Sequence, residues 1–317
     1  MEQSKKDYRD IRIVFMGTPE FAVASLHKLV TAGCTVVGVV TAPDKAAGRG
    51  MQLQQSAVKK YALENHLPVL QPEKLKSAAF IEELKALHAD LQVVVAFRML
   101  PEVVWNMPAM GTINVHGSLL PQYRGAAPIN RAIINGEAYT GVTTFKLKHE
   151  IDTGDILLQE KIPIGENETA GELHDRMKET GAALLLKTIM GLADGSLEET
   201  PQSELEASGN GPVKHAPKIF TETCRINWEQ TTASVFNLIR GLSPYPAAFT
   251  ELNGKKLKIY SAEKTAFTTP VPPGSMETDQ KNFLRFACSD GYIHITDLQL
   301  EGKKRMEVKE FLRGYRF

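Results

Sequence analysis

The stretch at 91–97, LQVVVAF, constrains the fold more than any other, because six of its seven residues are apolar. A strand of that kind has no face to offer to water and must be covered on both sides, as the middle strand of a parallel sheet is. Two upstream runs are of the same type, IRIVFM at 11–16 and TVVGVVT at 35–41. Between them, Thr18 is expected to cap a helix with Pro19 in its first turn. Val23, Leu26 and Val30 then recur at helical spacing, and Gly33 stops the helix. Strand, helix and strand in that order predict a βαβ unit with a right-handed crossover. The fold class expected is therefore α/β, with a Rossmann-like N-terminal domain on a mostly parallel sheet. The pattern G-x-G-x-x-G is absent around Gly17, which argues against a dinucleotide site.

The residues that follow extend this plan. Helices are predicted at 56–65 and 77–88, with a short strand at 68–70 between them, and a strand ending at His116. Residues 142–148 read as a half-exposed strand and 155–164 as its hairpin partner. Thr169 and Glu172 make a capping box that opens a long helix. Leu173, Met177, Leu184, Ile189 and Leu192 are its candidates for burial, and Gly195 closes it. Residues 198–215 have turn composition and no periodicity, so they are taken as a linker between a domain at 1–197 and one at 216–317. The last part carries a short helix near 231–240, the Pro-rich SPYPAAF, and closely spaced strands broken by Gly and Pro, which predict a small β-barrel.

Composition matters for location and partners. The chain has 317 residues, enough for two domains, and no apolar run approaches the length of a membrane span. Its opening, MEQSKKDYRD, is charged and lacks the apolar core of a secretory signal. Three scattered cysteines, Cys34, Cys224 and Cys288, make neither a metal spacing nor an even disulfide set, and are read as core fillers. A cytoplasmic monomer without a metal is the expectation. Net charge is zero, yet residues 207–317 carry 16 Lys and Arg against 11 Asp and Glu, or +5, leaving 21 against 26, or −5, in the rest. A basic C-terminal part hints at a polyanionic partner, although small domains often differ this much without one.

The chemistry-bearing residues lie between 114 and 155. Asn114 and His116 are two apart on a strand, so they face the same way, at the end of a strand where open α/β sheets bind ligands. Gly117 and Ser118 let the chain turn, and Leu119, Leu120 and Pro121 supply a stiff apolar wall. Asp152 sits in the turn I-D-T-G-D, from which a carboxylate can reach the imidazole. Such a trio suits acyl transfer to an amine. A carboxamide N–H and a protonated imidazole stabilise the oxyanion, while a neighbouring carboxylate favours the charged imidazole and takes up the amine's proton. The amine is itself the nucleophile. Against this stand plainer readings: a single His near a strand end is commonly structural, and D-T-G-D is a good turn whatever it does. A metal site from His149, Glu150 and Asp152 is disfavoured because residues so close in sequence rarely converge, and Ser118 lacks the G-x-S-x-G elbow of a nucleophile.

The run N-V-H-G-S-L-L-P-x-x-R-G-A-A-P-I, followed by G-V-T and I-D-T-G-D, resembles the signature of the folate-dependent formyltransferases. The resemblance implies that Asn114, His116 and Asp152 are catalytic. It implies also that Ser118, Leu119, Leu120 and Pro121 belong to the part that binds the formyl donor, 10-formyltetrahydrofolate. Residues 97–101 correspond to a segment that lines the pterin pocket in that family, largely through backbone groups, so Phe97 and Leu100 are carried over to folate binding. Arg98 departs from the family's usual pattern there. FMGTPEFA, APDKAAGRG and the later APKI, INW and SPYPAAF resemble the branch that formylates the α-amine of initiator methionyl-tRNA. On that resemblance, the exposed loop at 42–54 enters the acceptor end of the tRNA, with Arg49 and Lys45 as its contacts, and the C-terminal domain is an OB-fold-like barrel that binds tRNA. The rival acceptors are small amines, glycinamide ribonucleotide or a nucleotide-linked amino sugar.

Overall fold

The computed structural model describes residues 6–47, 52–208, 212–267 and 271–316. They group into two compact units. The first comprises Met1–Arg124, Gly141–Ile162 and Asp175–His215, and the second Gly125–Thr140, Pro163–His174 and Ala216–Phe317.

The strands of the first half of the chain are β1 (Arg12–Gly17), β2 (Thr35–Val40), β3 (Lys45–Ala47), β4 (Gln52–Gln54), β5 (Val69–Leu70), β6 (Leu91–Val95), β7 (Thr112–His116), β8 (Arg124–Gly125), β9 (Tyr139–Lys146) and β10 (Ile156–Pro163). Seven of them form one sheet in the order β10-β9-β7-β6-β1-β2-β5. From β5 to β7 the pairings are parallel, and β9 joins β7 antiparallel. The expected central strand is β6, buried at all five positions, with β1 and β7 on either side. The sheet is thus mostly parallel, and β7 ends at His116 where the antiparallel edge begins.

Helices α1 (Glu20–Thr31), α2 (Ala57–Glu64), α3 (Ala78–Ala86), α4 (Glu102–Trp105), α5 (Pro128–Ile134), α6 (Ala170–Asp194) and α7 (Gln202–Ser208) follow in chain order. Ser56 and Ser77 cap α2 and α3 by accepting the backbone N–H three residues on. The start of α1 differs from expectation. Pro19, not Thr18, stands at its N-cap, with no side-chain cap bond, and the buried face is Phe21, Ala22, Ser25, Leu26 and Leu29. The face turns because Ala22 must lie against the end of β1, where a Cβ on Gly17 would come within 2.6 Å of the Ala22 Cβ. The capping box of α6 is present: the Thr169 N–H donates to the Glu172 carboxylate at 2.8 Å and the Glu172 N–H to the Thr169 hydroxyl at 3.3 Å. Gly181 lets α6 approach the sheet, since a Cβ there would sit 3.2 Å from Val115 and 3.3 Å from Val142. A buried Thr144–Thr188 hydroxyl pair at 2.7 Å ties the same helix to β9.

The linker expected at 198–215 is one of turn composition without periodicity. Thr200 instead exchanges both backbone hydrogen bonds with Ile156, and α7 follows at once. The helix is short and polar, so its sequence carries no helical stripe. It is held by side-chain bonds described below.

After β11 (His215–Ala216), whose two residues fall one in each unit, the second unit continues with α8 (Thr232–Leu242), then β12 (Ala248–Leu252), β13 (Lys255–Ala266), β14 (Met276–Thr278), β15 (Leu284–Ala287), β16 (Gly291–Leu300), β17 (Met306–Glu307) and α9 (Val308–Gly314). The antiparallel sheet runs β12-β13-β16-β15-β14, with β17 on β16. It is a half-barrel whose long strand β13 is bulged near Ser261, which curls the sheet around its core. Trp228 stacks on Phe286 at 4.6 Å in that core and donates its indole N–H to Thr250. Cys224 and Cys288 are buried here and Cys34 is buried in the first unit, with burial pushing the Cys288 thiol up to about 12.

Candidate active site

β7 delivers Asn114 and His116 to one face, while Ile113 and Val115 fill the core on the other. Asn114 is half-buried, and its carboxamide makes no hydrogen bond to any described residue. It is therefore available to a ligand.

His116 is 6% exposed and packs edge-on against Phe145 of β9, with ring centroids 6.5 Å apart. Its Nε2 lies 2.9 Å from the Tyr123 carbonyl oxygen, so Nε2 carries a proton and donates it there. Nδ1 is left facing the site, 3.9 Å from Asp152 Oδ2. That separation is an ion-pair distance, about 1 Å longer than a hydrogen bond.

Asp152 takes a left-handed conformation, φ +56°, in the turn between β9 and β10. Gly154 makes the turn possible, because a Cβ there would fall 1.5 Å from the Lys146 carbonyl oxygen. Arg124 Nε donates to the Asp152 carbonyl at 3.1 Å. Gln202 Nε2 donates to the carbonyls of Asp152 and Gly154 at 2.9 and 2.8 Å. Sequence reasoning missed Gln202 altogether, since a lone Gln in a polar stretch carries no signal.

The turn after β7 is fastened from below. Ser118 is fully buried and its hydroxyl donates to the Gln122 carbonyl at 2.6 Å. The Thr143 hydroxyl donates to the Ser118 carbonyl and accepts the Leu120 N–H, while Gln159 donates to the Leu120 carbonyl. Leu120 packs with Phe145 and Ile156, and Pro121 is buried beside it. Leu119 is half-buried and lies over Gly141. Phe97 is half-buried, whereas Leu100 is 8% exposed and belongs to the core behind β1 and β6. Arg98 donates to the carbonyls of Pro72 and Glu73, so its charge braces a neighbouring loop. His149 and Glu150 are exposed.

Lys45 is exposed on β3, which pairs antiparallel with β4, so the described part of 42–54 is a small hairpin. Its root is tied: Asp44 accepts from Lys59 at 2.6 Å and from Gln71 at 2.8 Å, the Lys59 bond being the main reason its carboxyl is held below the usual range. Arg49 lies outside the described residues.

A cleft of about 460 Å³ opens in the second unit, lined by Lys218, Lys256, Lys258, Phe220, Tyr245 and Phe249 among others. None of the catalytic candidates lines it. Among the described residues its three lysines form no ion pair, and Lys256 Nζ sits 4.5 Å from the Phe249 ring centroid. Tyr245 is 82% exposed at its edge. Unpaired cations beside exposed aromatic rings are the chemistry that binds phosphates and stacks bases.

A family model described as formyl transferase matches residues 11–189, and one described as formyl transferase, C-terminal domain, matches 218–316. The methionyl-tRNA formyltransferase of Bacteroides fragilis is 53% identical over 311 residues, covering 96% of this chain and 95% of the relative. That of Parabacteroides distasonis is 55% identical over 313 residues, covering 97% and 96%. Among solved structures, the sugar 3N-formyl transferase WlaRD, in the presence of dTDP and 5-N-formyl-THF, superposes with a TM-score of 0.66 at 21% identity, over 93% of this chain and 99% of that one. HypX from Aquifex aeolicus in complex with tetrahydrofolic acid gives 0.64 at 20% identity, over 96% and 48%. These two share the fold.

Proposed function

The chain belongs to the formyl transferase family, and from that membership we propose that it moves the formyl group of 10-formyltetrahydrofolate to the α-amine of methionine on initiator methionyl-tRNA, working in the cytoplasm. The observation that carries the reading is at the end of β7, where His116 Nδ1 lies 3.9 Å from the Asp152 carboxylate and the unengaged Asn114 carboxamide leaves the same face of the strand.

In this reading the amine attacks the formyl carbon, and negative charge develops on the formyl oxygen. The Asn114 carboxamide N–H and the His116 imidazolium stabilise that charge. The amine's proton goes to Asp152, the new C–N bond persists, and the bond to N10 breaks as Asp152 passes that proton on to N10. No covalent enzyme intermediate is required, which agrees with a buried Ser118 whose hydroxyl is already engaged.

The folate would meet the main chain of 118–121 together with Phe97 and Leu119. Leu100, Leu120 and Pro121 act one layer behind, holding that wall in place. For the tRNA, the net +5 of residues 207–317 and the three unpaired lysines of the cleft support a phosphate-binding face. Lys45 adds an exposed cation on the hairpin, and Arg49 is assigned to the tRNA on the family resemblance.

The test is to offer the purified protein formyl-labelled 10-formyltetrahydrofolate with charged initiator tRNA, glycinamide ribonucleotide or a nucleotide-linked amino sugar. Label is expected on the tRNA-borne methionine. Label appearing only on the small amines would overturn the proposed acceptor.

A further inference from the structure

We infer that Gln202, acting with Arg124, is a positioning residue that sets the Asp152 carboxylate opposite His116, so that α7 is a working part of the catalytic unit. The inference rests on the proposed role of Asp152 and deepens it.

Gln202 is 3% exposed, and both ends of its carboxamide are engaged. The nitrogen bridges the carbonyls of Asp152 and Gly154 at 2.9 and 2.8 Å, gripping the turn on both sides of Thr153. The oxygen accepts from Arg124 Nε at 3.0 Å and Nη2 at 2.6 Å. Arg124 itself also donates to the Asp152 carbonyl, and its outer end meets Glu206 of the same helix at 2.6 Å. A residue with a side chain at φ +56° is strained and persists only where its surroundings over-determine it. Here three donors on two carbonyls do so.

The adjacent residue completes the device. Tyr123, next to Arg124, accepts the His116 Nε2 proton and so fixes the ring whose Nδ1 faces Asp152. One dipeptide therefore holds both members of the pair, one through its carbonyl and the other through its guanidinium. Gln202 is the cross-piece between them. Without its amide, the carbonyls of Asp152 and Gly154 each lose a donor, and the turn is free to leave the position that sets the 3.9 Å gap.

The experiment is a double-mutant cycle in the full-length protein. Gln202→Met keeps the volume and removes the amide. Arg124→Lys keeps a cation for Glu206 but cannot reach Gln202 and Asp152 together, and it provides a second route if the first variant folds poorly. Each is combined with Asp152→Asn. We expect kcat to fall on the order of a hundredfold in the Asp152 background, the scale of a misplacement of about 1 Å, with KM for both substrates unchanged. In the Asp152→Asn background the same substitution should lower kcat by less than about threefold, because the carboxylate it positions is gone. Equal losses in the two backgrounds, a loss confined to KM, or an unchanged kcat would each overturn the inference. Wild-type transfer to charged tRNA is the control. Its absence would count against the proposed acceptor, and the cycle would then be read on whichever amine the wild type formylates.

Discussion

Asp152→Asn isolates the charge of the carboxylate with almost no change of shape. The Asp152 oxygen lies 3.9 Å from His116 Nδ1, and the two side chains are 13% and 7% exposed. Two unit charges at that distance interact by about 4 kcal/mol at an effective dielectric near 20, and by about 1 kcal/mol in bulk water. The poor exposure argues for the first value. With His116 acting as the imidazolium, that attraction is what the Asn variant lacks. About 4 kcal/mol corresponds to roughly a thousandfold in rate. The turn itself should survive, because Arg124 and Gln202 grip main-chain carbonyls that Asn retains. Single-turnover formylation of charged initiator tRNA, at saturating formyl donor, reads the loss directly, and filter binding should give an unchanged Kd for the tRNA. A loss of about sixfold or less, the bulk-water figure, would refute the argument that the pair acts across a shielded gap.

Gly154→Ala places a Cβ 1.5 Å from the Lys146 carbonyl, which no rotamer relieves, so the turn must open; we expect kcat to fall at least as far as for Asp152→Asn, together with a lower Tm by calorimetry. The double substitution Lys256→Glu and Lys258→Glu should raise KM for charged tRNA while leaving KM for the folate unchanged, and should reduce the slope of log K against log salt for tRNA binding by about one per lost phosphate contact. Backbone and hydroxyl bonds from Thr169 hold the Glu172 carboxyl below its usual range. A depressed folded-state pKa gives stability that is complete above the unfolded value and is lost as pH falls through the folded one. Glu172→Gln should therefore be less stable than the wild type in urea at pH 7, by no more than the ~1 kcal/mol of a helix cap, and the gap should narrow as the pH drops below about 4.

Much of this was legible in the sequence because it rests on periodicity. The almost wholly apolar run at 91–97 announced β6, and the two-residue period of a strand was enough to put Asn114 and His116 on one face. The Thr169 and Glu172 pair announced the start of α6 for an equally local reason. Register was harder: the buried face of α1 is set by Ala22 against β1, a contact between elements that helical spacing does not encode. The stretch at 198–215 carries no periodic signal, because the α7 within it has no apolar stripe and depends on bonds made 48 to 82 residues away in the chain.

What stayed hidden shares one cause, and it bears on how the site works. The imidazole is oriented by the Tyr123 carbonyl, and the Asp152 turn is gripped at the carbonyls of Asp152 and Gly154. A main-chain acceptor leaves no trace in residue type, so the motif displays the groups that react, and Arg124 with them, but conceals the carbonyls through which they are aimed. The same design separates the two duties physically. Substitutions at Asn114, His116 or Asp152 alter the chemistry at the reacting atoms, whereas substitutions at Arg124 or Gln202 leave that chemistry in place and change its geometry. The two classes should therefore differ in how they combine: Asn114→Ala, whose carboxamide stands outside the Arg124–Gln202 network, should add its full loss to that of Gln202→Met, whereas Asp152→Asn should not.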